Sequence, residues 1–179
     1  MRHLHRLKSF HALLTLEGAF TLWLILLIAL MWFYMELFIH HNPTREEVRA
    51  VASGVPQLRE DGKTMDDFNP DMEKGMWLKG EVGGEVVAFC HFIPKTSVVA
   101  EIHPAVLKPF RREYAREFTG ACLSIGLRHW DKILAVTPTC ERTTINYAVK
   151  HGFKFEGIIQ NAWRKNGKLW HLVQLSYER

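Results

Sequence analysis

The stretch TTINYAVKHGFKFEG at residues 143–157 constrains the fold more than any other part of the chain. Ile145, Ala148 and Val149 recur at i, i+3 and i+4, which gives a helix one apolar face. Gly152 then stands where a helix needs a left-handed residue to close its last turn. The residues after it alternate, Phe153, Phe155 and Gly157 against Lys154 and Glu156, and this predicts a half-buried strand. Helix, glycine and strand in immediate succession make an αβ connection.

Upstream, helical and strand periods alternate. Residues 36–41 read as a short strand. Thr44 and Glu47 stand at capping-box spacing ahead of Val48, Val51, Ala52 and Val55, the apolar stripe of a helix that Pro56 ends. Residues 57–70 are polar, with Gly62, Asn69 and Pro70, and predict a second short helix and a loop. Runs 76–82 and 85–93 flank Gly83 and Gly84, a two-residue hairpin signal. Residues 98–107 predict a third long strand whose pattern Pro104 interrupts, which implies a bulge or a splayed edge. A helix over 110–129 follows, with Tyr114, Phe118, Ala121, Cys122 and Ile125 on one face. Next comes a short buried strand at 132–136, broken by Pro138. After the helix described first, strands 153–160 and 168–177 close the chain around Asn166 and Gly167.

A chain of 179 residues, 47% of them apolar, suits one domain with a real core and is short for two. Setting aside Arg2, Arg6, Lys8 and Glu17 near the start, the 23 Lys and Arg against 19 Asp and Glu reduce to 20 against 18. So mild a balance is no nucleic-acid footprint. Cys90, Cys122 and Cys140 are odd in number and form no CxxC pair, so they read as reduced thiols rather than a disulfide frame or zinc site. No metal site is expected. His40 and His41 are adjacent in a strand, point to opposite faces and cannot chelate together. His91 and His171 sit in apolar strands as core or edge histidines.

Residues 18–35 are an uncharged run of 18. As a helix they would reach roughly 27 Å at about 1.5 Å per residue, just under a bilayer core of about 30 Å. Arg2, Arg6 and Lys8 precede the run and no small-x-small cleavage site follows it, so residues 1–34 read as a signal anchor. The run abuts the first strand without a linker, however, and strand and bilayer would compete for the same residues. The alternative is that the protein starts near Met31 or Met35 and that residues 1–34 are an upstream extension of the reading frame. The division expected is a hydrophobic segment at 1–34 and a domain at 35–179.

Set beside the pattern xxSIxxxxKxGFxxEG, residues 143–157 resemble the C-terminal motif of the GNAT superfamily of N-acetyltransferases. Thr144, Lys150, Gly152, Phe153, Glu156 and Gly157 match, and Glu141 stands where many members carry Asn. The order of predicted elements over 35–179 is similar to that superfamily's. The resemblance implies an α/β (α+β) fold, with a mixed central sheet of about six to seven strands and helices on both faces. It implies transfer of an acyl group, most simply acetyl, from acetyl-CoA to an amine acceptor, either a small molecule or a protein.

The acyl-CoA would enter where the third long strand splays, at Val106 and Leu107. Its pyrophosphate would meet the loop and helix start that follow. The superfamily builds that loop as R/Q-x-x-G-x-G/A, because phosphate oxygens must approach bare amides and a helix N-terminus. Here the loop reads PFRREYAR. Arg111 takes the Arg/Gln position, and Arg112, Tyr114 and Arg116 stand where glycines or small residues are expected. Arg111, Arg112, Tyr114 and Ala115 are the candidate pyrophosphate residues, with guanidinium charge in place of glycine amides, and Thr144 lies beside the acyl-CoA tail.

Glu101 and His103 lie two apart on the splayed strand, hence on one face, and either could take a proton from the acceptor amine. The general-acid Tyr that many members carry four residues before the glycine falls at Ala148. Tyr147 is adjacent and is predicted to face elsewhere, so a leaving thiolate needs water or another donor. Glycine-poor versions of the fold occur among tailed-phage virion and head-assembly proteins, and PFRREYAREF resembles these. On that reading the chain is an inactive structural component whose partners are virion proteins. The enzyme reading implies the cytoplasm, the structural one a virion, and a retained residue 1–34 segment a single-pass membrane protein.

Overall fold

The computed structural model describes residues 21–29, 35–56 and 61–179. Residues 21–29 are helical (α1), and no helix among the described residues is long and apolar enough to cross a membrane. The remainder of the signal-anchor reading, at 1–20 and 30–34, lies outside the described residues. So does part of the predicted second short helix, at 57–60, while residues 61–70 form turns and bends. The compact unit that carries the sheet comprises Leu37–Glu81 and Glu85–Arg179.

Its elements run β1 (Leu37–His41), α2 (Arg45–Ser53), β2 (Met76–Val82), β3 (Glu85–Pro94), β4 (Val99–Val106), a 3-10 turn (Lys108–Phe110), α3 (Arg111–Gly126), β5 (Lys132–Pro138), α4 (Arg142–Lys150), β6 (Lys154–Lys165) and β7 (Lys168–Glu178). The seven strands form one mixed sheet in the order β1-β2-β3-β4-β5-β7-β6. Local chemistry accounts for the ends of these elements. The Thr44 hydroxyl accepts from the Glu47 N–H at 3.2 Å and a Glu47 carboxylate oxygen accepts from the Thr44 N–H at 2.6 Å, the capping box expected. Gly83 and Gly84 have φ of 59° and 81°, Asn166 and Gly167 of 52° and 70°. Paired positive φ is the backbone of the type I′ hairpin turn, which twists with its strands.

Alternation along β3 sorts the core into two layers. Phe89 and Ala105 pack with Trp77 against Val48, Val51, Ala52 and Val55, so α2 and the residues just after it cover one face. Even-numbered residues meet α3 on the other. A Cβ at Gly80 would lie 2.9 Å from the Phe118 ring, and one at Gly126 would lie 2.6 Å from the Phe92 ring. Both glycines let helix and sheet approach within side-chain contact.

The opening helix-glycine-strand prediction holds in its closure and differs in its burial. Gly152 has φ +91°, its N–H donates to the Val149 carbonyl at 3.0 Å, and the Phe153 N–H donates to the Ala148 carbonyl at 3.1 Å. This pair of bonds is the Schellman closure of α4. Phe153 is buried, but Val149 is 52% and Phe155 63% exposed. The reason is topological: β6 is the outermost strand, and no residue of β6 or α4 is fully buried.

Candidate active site

Parity along β4 decides where the sheet opens. The Leu107 N–H donates to the Val87 carbonyl at 2.9 Å, so odd-numbered residues of β4 bond to β3 and even-numbered ones face β5. Pairing with β3 runs without a break through Pro104, from Pro94↔Ala100 to Ala88↔Val106. Pairing with β5 stops at Glu101↔Leu134. The interruption expected at Pro104 therefore lies on one side of the strand only, as a splay and not a bulge. Parity along β5 follows from the Thr139 N–H, which donates to the His171 carbonyl of the adjoining strand β7 at 2.9 Å, so that even-numbered residues of β5 turn their backbone groups toward β4. Pro104 and Pro138 thus both sit where an N–H would reach across the gap, and neither has one. Beyond Glu101 the two strands do not pair, and the missing donors of Pro104 and Pro138 remove two of the later rungs. The carbonyls of Ile102 and Pro104, the Val106 N–H and both backbone groups of Val136 line an opening instead of a ladder.

A cleft of about 350 Å³ passes through this opening. Ile102, Pro104, Ala135, Val136 and Thr137 frame it. On the α2 side its walls are Phe68, Trp77, Phe89, His91, Ile93 and His103. On the α3 and α4 side they are Thr119, Thr144, Tyr147, Ala148, His151 and Phe153.

Glu101 and His103 share a face as expected, and the structure gives them different surroundings. His103 lines the cleft, and its Nε2 lies 3.1 Å from one Glu101 oxygen. Lys95 Nζ lies 2.6 Å from the other, and the Glu101 side chain is only 13% exposed. The hydrogen bond from His103, followed by that from Lys95, overcomes the opposing effect of burial and lowers the Glu101 carboxyl from the ordinary 4.5 to about 2. A carboxylate so firmly ionised is a weak base. It accepts from His103 Nε2 and so fixes the orientation of the ring.

His91 faces His103 across the strands, with ring centroids 6.3 Å apart, and stacks on Trp77 at 3.7 Å and 8°. Its Nε2 donates to the Lys74 carbonyl at 2.6 Å. Burial lowers its pKa, so the ring stays neutral and Nδ1 is an acceptor.

Tyr147 corrects the expectation that it turns away from the cleft. It lines the cleft beside Ala148, and its hydroxyl lies 2.5 Å from the Ala115 carbonyl, to which it donates, and 3.0 Å from Thr119 Oγ1. His151, the C-cap of α4, donates from Nδ1 to the Tyr147 carbonyl at 2.9 Å, and its buried Nε2 has no hydrogen-bond partner among the described residues. Helical spacing carried a signal for this wall, because Thr144, Tyr147, Ala148 and His151 recur at i, i+3, i+4 and i+7.

At the mouth of the opening the Arg111 Nε donates to the Val106 carbonyl at 2.8 Å. The chain turns through the 3-10 segment straight into α3, which no side chain caps. No residue from 107 to 119 has positive φ. Tyr114 and Ala115 are buried within α3, past the free N–H groups of its first turn, while Arg112 is exposed. Val106 is buried and Leu107 packs against the α2 cluster. Cys90 and Cys122 are buried free thiols, as expected, and Cys140 is half-buried.

No protein-family model matches the sequence, and no curated protein matches it. Solved structures do match. One was assigned as a phosphinothricin N-acetyltransferase, at 18% identity and TM-score 0.66 over 80% of this chain and 98% of that one. Another, from Salmonella typhimurium, was assigned as an acetyltransferase and solved with its cofactor acetyl-CoA, at 13% identity and TM-score 0.63 over 79% and 93%. A third is an acetyltransferase of the GNAT family from Streptococcus pneumoniae, at 13% identity and TM-score 0.58 over 80% and 100%. At these identities the likeness is one of fold, and the fold of this chain is that of the GNAT acetyltransferases.

Proposed function

We propose that this GNAT fold, in the segment from 35 to 179, transfers an acyl group, most simply acetyl, from coenzyme A to an amine. The observation that carries the reading is a cleft that crosses the sheet at the β4–β5 opening with His103 on its wall. The opening suits an extended ligand with alternating amide donors and acceptors, because it offers unpaired carbonyls and N–H groups of both polarities. The orphaned His151 Nε2 is a further buried acceptor that such an arm would satisfy. Val106 and Leu107 would flank the arm, with Thr144 beside its tail. Arg111, Arg112 and the free N–H groups at the start of α3, just ahead of Tyr114 and Ala115, would meet its phosphates. When bound, acetyl-CoA supplies an activated acyl thioester.

The chain's own residues then handle protons. His103 Nδ1 takes the proton of the acceptor amine, and Glu101, which does not line the cleft, is a positioning residue that fixes the imidazole tautomer. The test is calorimetry and thermal shift of the full chain with acetyl-CoA and with CoA. Ligand at 100 times its Kd adds about 2.7 kcal/mol. His103→Gln should lower turnover by roughly 10²- to 10⁴-fold and leave CoA affinity unchanged. Unchanged turnover would remove His103 as the base.

The β4–α3 connection supports a second reading. It contains no glycine, and buried Tyr114 fills the first turn of α3 just beyond it. An inactive structural component, such as a phage virion or head-assembly protein with virion partners, has no need to admit phosphates there. Absence of any shift at millimolar CoA decides for that reading. The transferase reading belongs in the cytoplasm, where acetyl-CoA is made, and the other in a virion.

A further inference from the structure

We propose that the acceptor is an aromatic amine: one ring, one primary amine, no carboxylate or phosphate, and no second cationic group. The inference rests on the transferase reading and concerns the α2 side of the same cleft. Phe68, Trp77, Phe89 and Ile93 give that side an apolar wall, and His91 and His103 supply its polar atoms. Among the described residues, no Asp, Glu, Lys or Arg lines the cleft. Glu101, the nearest carboxylate along β4, is turned to His103 and Lys95.

Each of these features selects against charge. A polyamine would bring a second ammonium, and an amino acid a carboxylate, into a cleft with no charged side chain among its described lining residues, and an unpaired buried charge is strongly disfavoured. A flat ring can meet aromatic wall residues in offset or edge-to-face contact without bringing a charge. The neutral His91 ring, locked by Lys74 through Nε2, keeps Nδ1 as an acceptor and adds no positive charge. The amine itself must enter the reaction unprotonated, and an apolar wall favours that form. His103 Nδ1 then receives the proton that the amine nitrogen gives up as its bond to the acyl carbon forms and the thioester carbon–sulfur bond breaks, CoA leaving as the thiolate, which takes a proton from water.

The experiment measures acetyl-CoA-dependent acetylation by the full chain with 2-phenylethylamine, tryptamine, spermidine and glutamate, following released thiol and product mass. The aromatic amines should exceed both others in kcat/KM by at least about 100-fold. Phe68 is half-buried in a loop that Arg49 holds through the Phe68 carbonyl, so its side chain can be truncated with the backbone in place. Phe68→Ala should raise KM for 2-phenylethylamine about 10-fold, with kcat and CoA affinity little changed. Spermidine or glutamate turned over as well as the aromatic amines would overturn the substrate class and leave the transferase reading standing. Bound CoA with no aromatic turnover would do the same. Absence of CoA binding would remove the transferase reading, and the substrate class with it.

Discussion

Replacing Glu101 by Gln keeps the size of the side chain and removes the charge that Lys95 and His103 face at 2.6 and 3.1 Å. The carboxyl is lowered from 4.5 to about 2, with the His103 hydrogen bond the largest cause. At about 1.36 kcal/mol per pKa unit this corresponds to an upper bound of roughly 3.4 kcal/mol. Lys95 and His103 are 46% and 43% exposed, so solvent screening reduces the expected loss to about 1–2 kcal/mol.

The sign is set by the direction of the shift. A folded-state value below the unfolded one contributes stability that is complete above about pH 4.5 and is lost as pH falls toward about 2. Glutamine carries no such dependence. Urea unfolding of both proteins should therefore show the full difference at pH 7, roughly half of it near pH 3, and an unchanged m-value. The comparison must be between the two proteins, because Glu47 and Glu156, held down by hydrogen bonds from Lys79 and Lys132, also destabilise the wild type in acid. A difference that stays constant from pH 7 to pH 3, or none at pH 7, would refute the argument.

Gly126→Ala places a methyl 2.6 Å from the Phe92 ring, which is fully buried and stacks on Trp130 at 5.6 Å. Calorimetry should show a loss of about 1–3 kcal/mol, and wild-type stability would mean that the α3 contact is looser than described. Gly152→Ala forces an L-residue to φ +91° with its Cβ 3.2 Å from Tyr177. A loss of at least about 1 kcal/mol is expected in urea, and a gain would contradict the left-handed closure of α4. Brief iodoacetamide treatment read by mass spectrometry should label Cys140 and spare Cys90 and Cys122. Burial excludes the reagent from the latter pair and pushes the Cys90 thiol pKa well up, so early labelling at Cys90 would contradict its place in the core.

Interactions between residues close in sequence are legible in the chain. The capping box at Thr44 and Glu47, the I′ turns at Gly83–Gly84 and Asn166–Gly167, and the closure at Gly152–Phe153 each involve residues within five positions of one another. Side-chain type fixes their backbone wherever the chain goes afterwards. The order of strands and helices follows from the same local signals, and with it the fold. Glu101 and His103 share a face for a comparably local reason, the two-residue period of a strand.

Burial and partnership are not local. Phe155 satisfies an alternating pattern and is exposed because β6 lies at the edge, which strand order alone decides. Trp77, Phe89, His91 and His103 come from three strands, and only their register joins them as one wall. That Glu101 meets Lys95 as well as His103 depends on where the turn after β3 carries Lys95. The helix and glycine at 143–157 therefore determined what the chain folds into. The gap between β4 and β5 belongs to the tertiary structure, because Pro104 and Pro138, 34 positions apart in sequence, bring their missing donors to one opening only once the sheet has formed.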